Sequence, residues 1–354
     1  MSNQSHTTRI ADPKKHRLGF LDFLRFIAAF AVLFQHVFEN IWPAFKHFTT
    51  YYFQCGLFGV MVFFLTSGFI IPVSLEKGAS LKTFWISRIF RLFPLYLLSI
   101  VSVLISIRLG LYPAGFPAAK TIIINIFMFQ HFLGVPDVMP LYWTLCLELL
   151  FYFIISAIFF FGFIKKTMWI ALAFLALSFF AGGVAIGILH LAGGGWGMIF
   201  FLTSMFVGTL FYRLVNGELS ARAFAGMMLL VLMVLLFNTY TNLYGKDQPA
   251  LGGDKSFLPV TLAILAAYLV FFAAVSLRNI KFPVYLVYMG TISYSLYLVQ
   301  GTILVIIPAI GNTAVTAVIW IGVTISVSVI TYNLIEKPFI KIGKKLSGAS
   351  SKKA

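Results

Sequence analysis

Residues 55–75 read CGLFGVMVFFLTSGFIIPVSL, a run that contains no Asp, Glu, Lys, Arg or His. An α-helix rises about 1.5 Å per residue, so about twenty apolar residues cross the hydrocarbon core of a bilayer, which is about 30 Å thick. The run has that length and contains no charge that would have to be neutralised in lipid. It therefore predicts a transmembrane helix.

Comparable apolar runs occur along the rest of the chain. Of its 354 residues, 60% are hydrophobic and 10% are charged, whereas a soluble domain carries about 25% charged residues. A soluble protein could not bury this much apolar surface, so we expect an all-α integral membrane protein. Ten transmembrane helices are predicted, at 18–38, 55–75, 92–109, 141–163, 168–190, 197–214, 224–240, 258–277, 285–308 and 314–335.

One more apolar stretch, Thr121 to Gly134, is about fourteen residues long and short for a span. Loop charge indicates whether it crosses, because cytoplasmic loops are enriched in Lys and Arg. If it does not cross and the N-terminus is cytoplasmic, twenty of the twenty-six basic residues lie inside and four lie outside. The stretch is therefore predicted to be a re-entrant or interfacial helix on the outer side, with both termini cytoplasmic.

The predicted organisation is a cytoplasmic tail at 1–17, a transmembrane domain at 18–340 and a basic cytoplasmic tail at 341–354. The first apolar run lacks a small-x-small cleavage site, so it is expected to be a retained helix. The net charge of +16 is spread over loops, which argues against nucleic-acid binding. Cys55 and Cys146 form neither a disulfide framework nor a zinc pattern, and no metal is expected.

The first predicted span carries Asp22, Arg25 and His36. Ionisable side chains inside a span are costly and are usually functional. Eleven residues separate Arg25 from His36, which places them on nearly one helix face about 16 Å apart. The alternative is that Asp22 and Arg25 form a local ion pair and that His36 is an interfacial histidine.

Two arginines, Arg88 and Arg91, precede the third predicted span with the spacing of one helix face. Paired guanidinium groups suit a phosphate or pyrophosphate, although anchoring at the cytoplasmic surface is the alternative. Glu148, about seven residues inside the fourth span, is predicted to lie at the depth of His36. A structural salt bridge is its alternative role. Ser67 and Gly68 in the second span serve either a site or close helix packing.

Taken in order, these segments resemble the membrane acyltransferase 3 family from about residue 18 to residue 340. The family's Leu-Asp-x-Leu-Arg followed by a histidine matches Leu21 to Arg25 and then His36. In chain order, its other motifs match Gly59 to Phe69, Arg88 to Pro94, Trp143 to Tyr152, Ile292 to Leu298, and Ile335 to Phe339.

The chain departs from the family pattern at three positions. Met61 stands where many members have an acid, Leu149 where many have a second glutamate, and Gln300 where many have a histidine. With a single glutamate in this motif, the chain is similar to the branch of the family that modifies exopolysaccharides.

The resemblance implies a membrane O-acyltransferase of the bacterial cytoplasmic (inner) membrane. Such an enzyme moves an acyl group, here expected to be acetyl, from cytoplasmic acetyl-CoA to a sugar hydroxyl outside. The acceptor would be an exopolysaccharide, a lipopolysaccharide or a lipid-linked glycan. The predicted partners are therefore acyl-CoA, a sugar or polysaccharide acceptor, and membrane lipid.

In this hypothesis Arg88 and Arg91 hold the CoA phosphates, with Arg25 deeper along the path. His36 is a general base or a transient acyl carrier, and the residue patterns leave both roles open. Glu148 would orient the imidazole of His36, as the acid of a catalytic triad does. Substrate-binding or structural support is expected from Asp22, Ser67, Trp143 and His131.

Two other classes of protein are consistent with buried charges. A secondary transporter of a sugar or lipid also holds charges near the bilayer midplane, but such transporters tend to contain repeated halves, and this sequence shows no repeat. The second alternative is a structural partner of a polysaccharide synthase, in which the buried charges serve packing.

Overall fold

The computed structural model describes residues 19–191, 196–244 and 256–348, and every regular element within these ranges is helical. The predicted tail at 1–17 and the residues after 348 lie outside the described part of the chain. The helices are α1 (Gly19–Ile41), α2 (Pro43–Tyr51), α3 (Cys55–Glu76), α4 (Leu81–Arg108), α5 (Ala119–Ile126), α6 (Trp143–Phe160), α7 (Thr167–Leu177), α8 (Gly197–Val215), α9 (Ala221–Leu243), α10 (Phe257–Ser276), α11 (Val284–Thr291), α12 (Ser293–Ile306), α13 (Thr313–Thr331) and α14 (Lys337–Leu346).

Within the described ranges, nine helical segments are long and apolar enough to cross a membrane. A tenth is obtained when α11 and α12, which meet at an angle of 61°, are counted as one broken span. The prediction of an all-α protein with about ten spans is therefore confirmed. Helix α5 has eight residues and is only about 12 Å long, so it cannot cross, as predicted for the Thr121–Gly134 stretch that it overlaps.

Two spans extend about eleven residues beyond their predicted limits. Helix α4 begins at Leu81, where the side chain of Ser80 accepts a hydrogen bond from the backbone N–H of Thr83. At the other end of the chain, α13 continues through a π-helical turn, Tyr332–Glu336, into α14. The extensions place Arg88 and Arg91, which are partly buried, and Glu336, which is buried, within helices.

Helix α3 lies at the centre of the bundle and packs against α1, α8 and α10. Its contact with α8 depends on two glycines, because a Cβ at Gly68 would overlap the backbone oxygen of Met205, and one at Gly208 would overlap that of Leu65. Thr209 Oγ1 donates a hydrogen bond to the Gly68 carbonyl across the same contact, at 2.7 Å. Gly68 therefore has a packing role, as small residues do between membrane helices.

Gly68→Ala should lower the free energy of unfolding by about 1–3 kcal/mol, the usual cost of overpacking. The added methyl group would force α3 and α8 apart, because backbone cannot move aside as a flexible side chain does. Thermal unfolding of the purified protein in detergent measures the effect. Gly226→Ala is the matched control, since a Cβ there meets nothing within 4 Å; an equal loss of stability in both variants would contradict this role.

Candidate active site

Three cavities follow one another along α1 and share lining residues. We call them the lower, middle and upper cavities, with volumes of about 280, 70 and 700 Å³. The lower cavity lies beside Asp22, near the start of α1, and the upper cavity lies beside His36, near its end. Arg25, Ile70 and Arg91 line both the lower and the middle cavity.

The lower cavity is lined by two carboxylates and two guanidinium groups: Asp22, Glu336, Arg25 and Arg91. Arg25 Nη1 and Asp22 Oδ1 are 3.5 Å apart, so the local ion pair expected from their spacing forms. Glu336 is 2% exposed and accepts a hydrogen bond from Ser295 Oγ at 2.9 Å. Glu336 is the last residue of the π-helical turn Tyr332–Glu336, and such turns are frequent at functional sites.

The middle cavity brings Arg88 and Arg91 together with Arg25 and Glu148. Tyr152 Oη donates a hydrogen bond of 2.5 Å to Glu148 Oε1. The Arg88 guanidinium lies 5.3 Å from the ring centre of Phe84 and 5.5 Å from that of Tyr152. These contacts hold Arg88 against aromatic faces and leave its buried Nε without a hydrogen-bond partner among the described residues.

The charges that line the lower and middle cavities balance. Arg25, Arg88 and Arg91 contribute three positive charges, and Asp22, Glu148 and Glu336 contribute three negative ones. A buried charge without a counter-charge would be strongly destabilising, so this balance allows the cluster to exist inside the bundle. An anionic ligand that binds the arginines must therefore compete with carboxylates already in place.

The upper cavity is the largest of the three. Residues that carry charge or can titrate line it: His36, Glu39, Lys46, His131 and Asp137. Trp143 also faces it, next to the N-terminal turn of α6. Aromatic and polar groups together form a surface that can bind a ligand with several hydroxyl groups.

A network of hydrogen bonds holds one wall of the upper cavity. Gln35 Nε2 donates to Glu39 Oε1 at 2.8 Å and to Gln54 Oε1 at 3.1 Å. Thr49 Oγ1, on α2, donates to the same Glu39 oxygen at 2.5 Å. Glu39 is thereby fixed one helical turn from His36, on the helix that carries both.

The loop after α5 forms the opposite wall and is also fixed. Gln130 Nε2 donates to Asp137 Oδ1 at 2.8 Å, and Asn125 bonds the backbone of both Pro136 and Val138. Burial raises the pKa of Asp137, while the Gln130 hydrogen bond and the nearby His131 oppose that rise. The predicted non-crossing stretch therefore brings His131 to the same cavity as His36.

The structure brings the sequence-predicted residues together in two groups. Arg25, Arg88, Arg91, Glu148 and Ser67 line the middle cavity, while His36, His131 and Trp143 line the upper one. Asp22 lines the lower cavity. The predicted partnership of Glu148 with His36 thus joins residues that line different cavities, and it stays a prediction.

Sequence reasoning missed several groups that face the cavities, among them Glu336, Asp137 and Tyr297. Glu336 and Tyr297 lie in segments that resemble family motifs, which is the only sequence signal for them. Asp137 lies in a loop and gives no signal. Among the described residues, no group of three or more His, Cys, Asp or Glu side chains is arranged to hold a metal ion.

Comparison with known proteins agrees with this architecture. The chain is 29% identical over 154 residues to the acyltransferase MdmB of Streptomyces mycarofaciens, an alignment that covers 40% of this chain and 38% of that protein. No solved structure matches significantly. The profile of the acyltransferase domain matches residues 18–333, which include all three cavities apart from Glu336 and Ile340 at the lower end. The chain belongs to the acyltransferase 3 family.

Proposed function

We propose that this membrane acyltransferase moves an acetyl group from cytoplasmic acetyl-CoA to a hydroxyl of a sugar outside the bacterial cytoplasmic membrane. The acceptor would be an exopolysaccharide, a lipopolysaccharide or a lipid-linked glycan. The observation that carries the proposal is the row of three cavities, which leads from the arginine cluster to His36. Such a row lets donor and acceptor approach one reaction centre from opposite sides of the membrane.

The donor side is the arginine cluster. Acetyl-CoA carries phosphates that paired guanidinium groups recognise through bidentate hydrogen bonds. The buried Nε of Arg88, which has no partner among the described residues, is the kind of donor that such a ligand satisfies. Glu336 and Asp22 keep the cluster neutral when no donor is bound, and Glu148 serves the same purpose in the middle cavity.

The acceptor side is the upper cavity. There His36 would remove the proton from an acceptor hydroxyl as its oxygen attacks the thioester carbonyl. A neutral imidazole can accept a proton from a hydroxyl, which makes histidine a frequent general base. The carbon–sulfur bond then breaks, the ester forms, and CoA leaves with a proton as the free thiol.

Release of thiol from acetyl-CoA by the purified protein tests the activity. We expect release to depend on acceptor-bearing membranes of the parent bacterium, and NMR of their glycans to show new O-acetyl signals. A transporter would leave the thioester intact. If neither thiol release nor a difference in O-acetylation between cells with and without the protein is found, the proposed function is wrong.

The proposal requires a defined orientation, with both termini in the cytoplasm. Cysteines placed at Lys165 and Pro136, in the Cys55→Ser, Cys146→Ser background, should then react with an impermeant maleimide from opposite sides of the membrane. Lys165 lies in the loop before α7, and Pro136 lies in the loop between α5 and α6. Labelling of both positions from the same side would overturn the ten-span topology.

A further inference from the structure

Tyr297 lies where the middle and upper cavities meet. With Val60 it is one of the two residues that line both. It is 5% exposed and lies on α12, just after the 61° bend that follows α11. A group that moves directly from the middle cavity to the upper one passes between Tyr297 and Val60.

The ring of Tyr297 is held in place from both sides. Its hydroxyl donates a hydrogen bond to the Leu141 carbonyl oxygen at 3.0 Å and lies 2.8 Å from Thr144 Oγ1. Both partners belong to the segment that enters α6, so these bonds tie α12 to α6 across the path. On the α3 side, the ring of Phe63 packs edge-on against Tyr297 with centroids 5.9 Å apart.

The two cavities that Tyr297 separates differ in size. The upper cavity, of about 700 Å³, is lined by charged groups and amides and has room for many water molecules. The middle cavity, of about 70 Å³, has room for only a few. A thioester in the middle cavity is therefore screened from most of the water by the ring of Tyr297.

We propose that Tyr297 is a partition that determines whether the acyl group goes to the acceptor or to water. The inference rests on the proposed function, because it requires a thioester on one side of the ring and an acceptor on the other. In transfer, an acceptor oxygen attacks the carbonyl carbon and the carbon–sulfur bond breaks, giving an ester and CoA thiol. When water attacks instead, the same bonds break and form, and the products are acetic acid and CoA thiol.

The test uses the full-length protein with acetyl-CoA alone and measures free thiol and acetate. Tyr297→Ala should increase acceptor-independent hydrolysis by about tenfold, which corresponds to about 1.4 kcal/mol of barrier. It should also lower the ratio of transfer to hydrolysis when acceptor membranes are added. Tyr297→Phe keeps the ring, so hydrolysis should stay well below that of the Ala variant.

Tyr268→Ala is the matched control. Tyr268 is a buried tyrosine on α10, and its hydroxyl donates to Ser204 Oγ at 2.7 Å. It lines none of the three cavities, so its removal loosens the bundle without opening the partition. If Tyr268→Ala increases hydrolysis as much as Tyr297→Ala does, general loosening explains the result and the partition is refuted.

Tyr297→Leu replaces the Ala variant if the latter elutes as an aggregate, because Leu fills part of the space and makes no hydrogen bond. Unchanged hydrolysis in a folded variant, from a protein whose wild type transfers acetyl groups, would refute the partition and leave the proposed function standing. A wild-type protein that releases no thiol even with acceptor membranes would refute the proposed function itself.

Discussion

His36→Ala should abolish detectable acyl transfer while the protein still inserts, folds and binds acetyl-CoA. A positioned general base contributes about 10²–10⁴-fold in rate, so a loss of that size is expected in the turnover of bound substrates. The arginine cluster lies in the middle and lower cavities, away from the upper cavity that His36 lines, so donor binding should be retained. Transfer of radiolabelled acetyl to acceptor membranes measures the first effect, and equilibrium binding of acetyl-CoA measures the second.

Two other histidines serve as comparisons. His47 is exposed on α2, so His47→Ala should be nearly silent. His131 lines the upper cavity with His36 and should have an intermediate effect, because it can contact an acceptor there. A folded His36→Ala protein that transfers within about tenfold of the wild-type rate would show that His36 is not the base, and His131 would become the leading candidate.

A labelling experiment on the unmodified protein separates the two roles that the residue patterns leave open for His36. If His36 carries the acyl group, labelled acetyl-CoA without acceptor should leave label on the protein, since an acyl-imidazole forms before the acceptor arrives. If His36 is a general base, no label should remain after unfolding.

The spans were predictable because a single free-energy cost, that of exposing charge and backbone to lipid, outweighs all others in a membrane helix. A run of apolar residues avoids that cost, but so does a charge that is buried beside a counter-charge. A count of apolar residues therefore places the predicted boundary of a span too close to its centre when the helix carries a buried charge beside a counter-charge. The sequence places the start of the third span at residue 92, whereas α4 begins at Leu81 and carries Arg88 and Arg91 inside the bundle. It places the end of the last span at 335, one residue before the buried Glu336.

The candidate site was predictable only in part for the same reason. Arg25, His36 and Glu148 stand out because they interrupt apolar helices. Tyr297 does not stand out, since tyrosine is common in membrane helices, and its position at the boundary of two cavities depends on the bend between α11 and α12. Asp137 reaches the upper cavity only through the folding of a loop, which local sequence does not encode.

Replacing both Arg88 and Arg91 with Ala should raise the concentration of acetyl-CoA needed for half-maximal activity far more than that of acceptor. Each guanidinium that forms a charge-assisted hydrogen bond to phosphate contributes about 1.5–3 kcal/mol, so the loss should be on the order of tenfold or more for each residue. Lys should restore activity poorly at either position, because an ammonium group cannot offer the planar pair of donors. Acetyl-CoA binding and steady-state kinetics measure both effects.

The balance of charges around the arginines provides a sharper control. Arg91→Ala alone leaves the buried carboxylates with too little positive charge, which by itself should destabilise the bundle. Arg91→Ala combined with Glu336→Gln restores neutrality and should recover thermal stability. It should not recover acetyl-CoA affinity if Arg91 binds phosphate.

Thermal stability and acetyl-CoA affinity together therefore show whether the arginines bind phosphate or only balance the buried carboxylates. If stability and donor affinity are both restored in the Arg91→Ala, Glu336→Gln protein, Arg91 is only the counter-ion of Glu336. Arg88→Ala removes a positive charge from the same balanced cluster, so its neutral partner is Arg88→Ala combined with Glu148→Gln, which faces the same middle cavity. Loss of affinity in this double variant with recovered stability would place phosphate recognition at the Arg88 guanidinium, whose buried Nε no described residue satisfies. Unchanged affinity in all of these variants would leave both arginines as structural charges of the bundle.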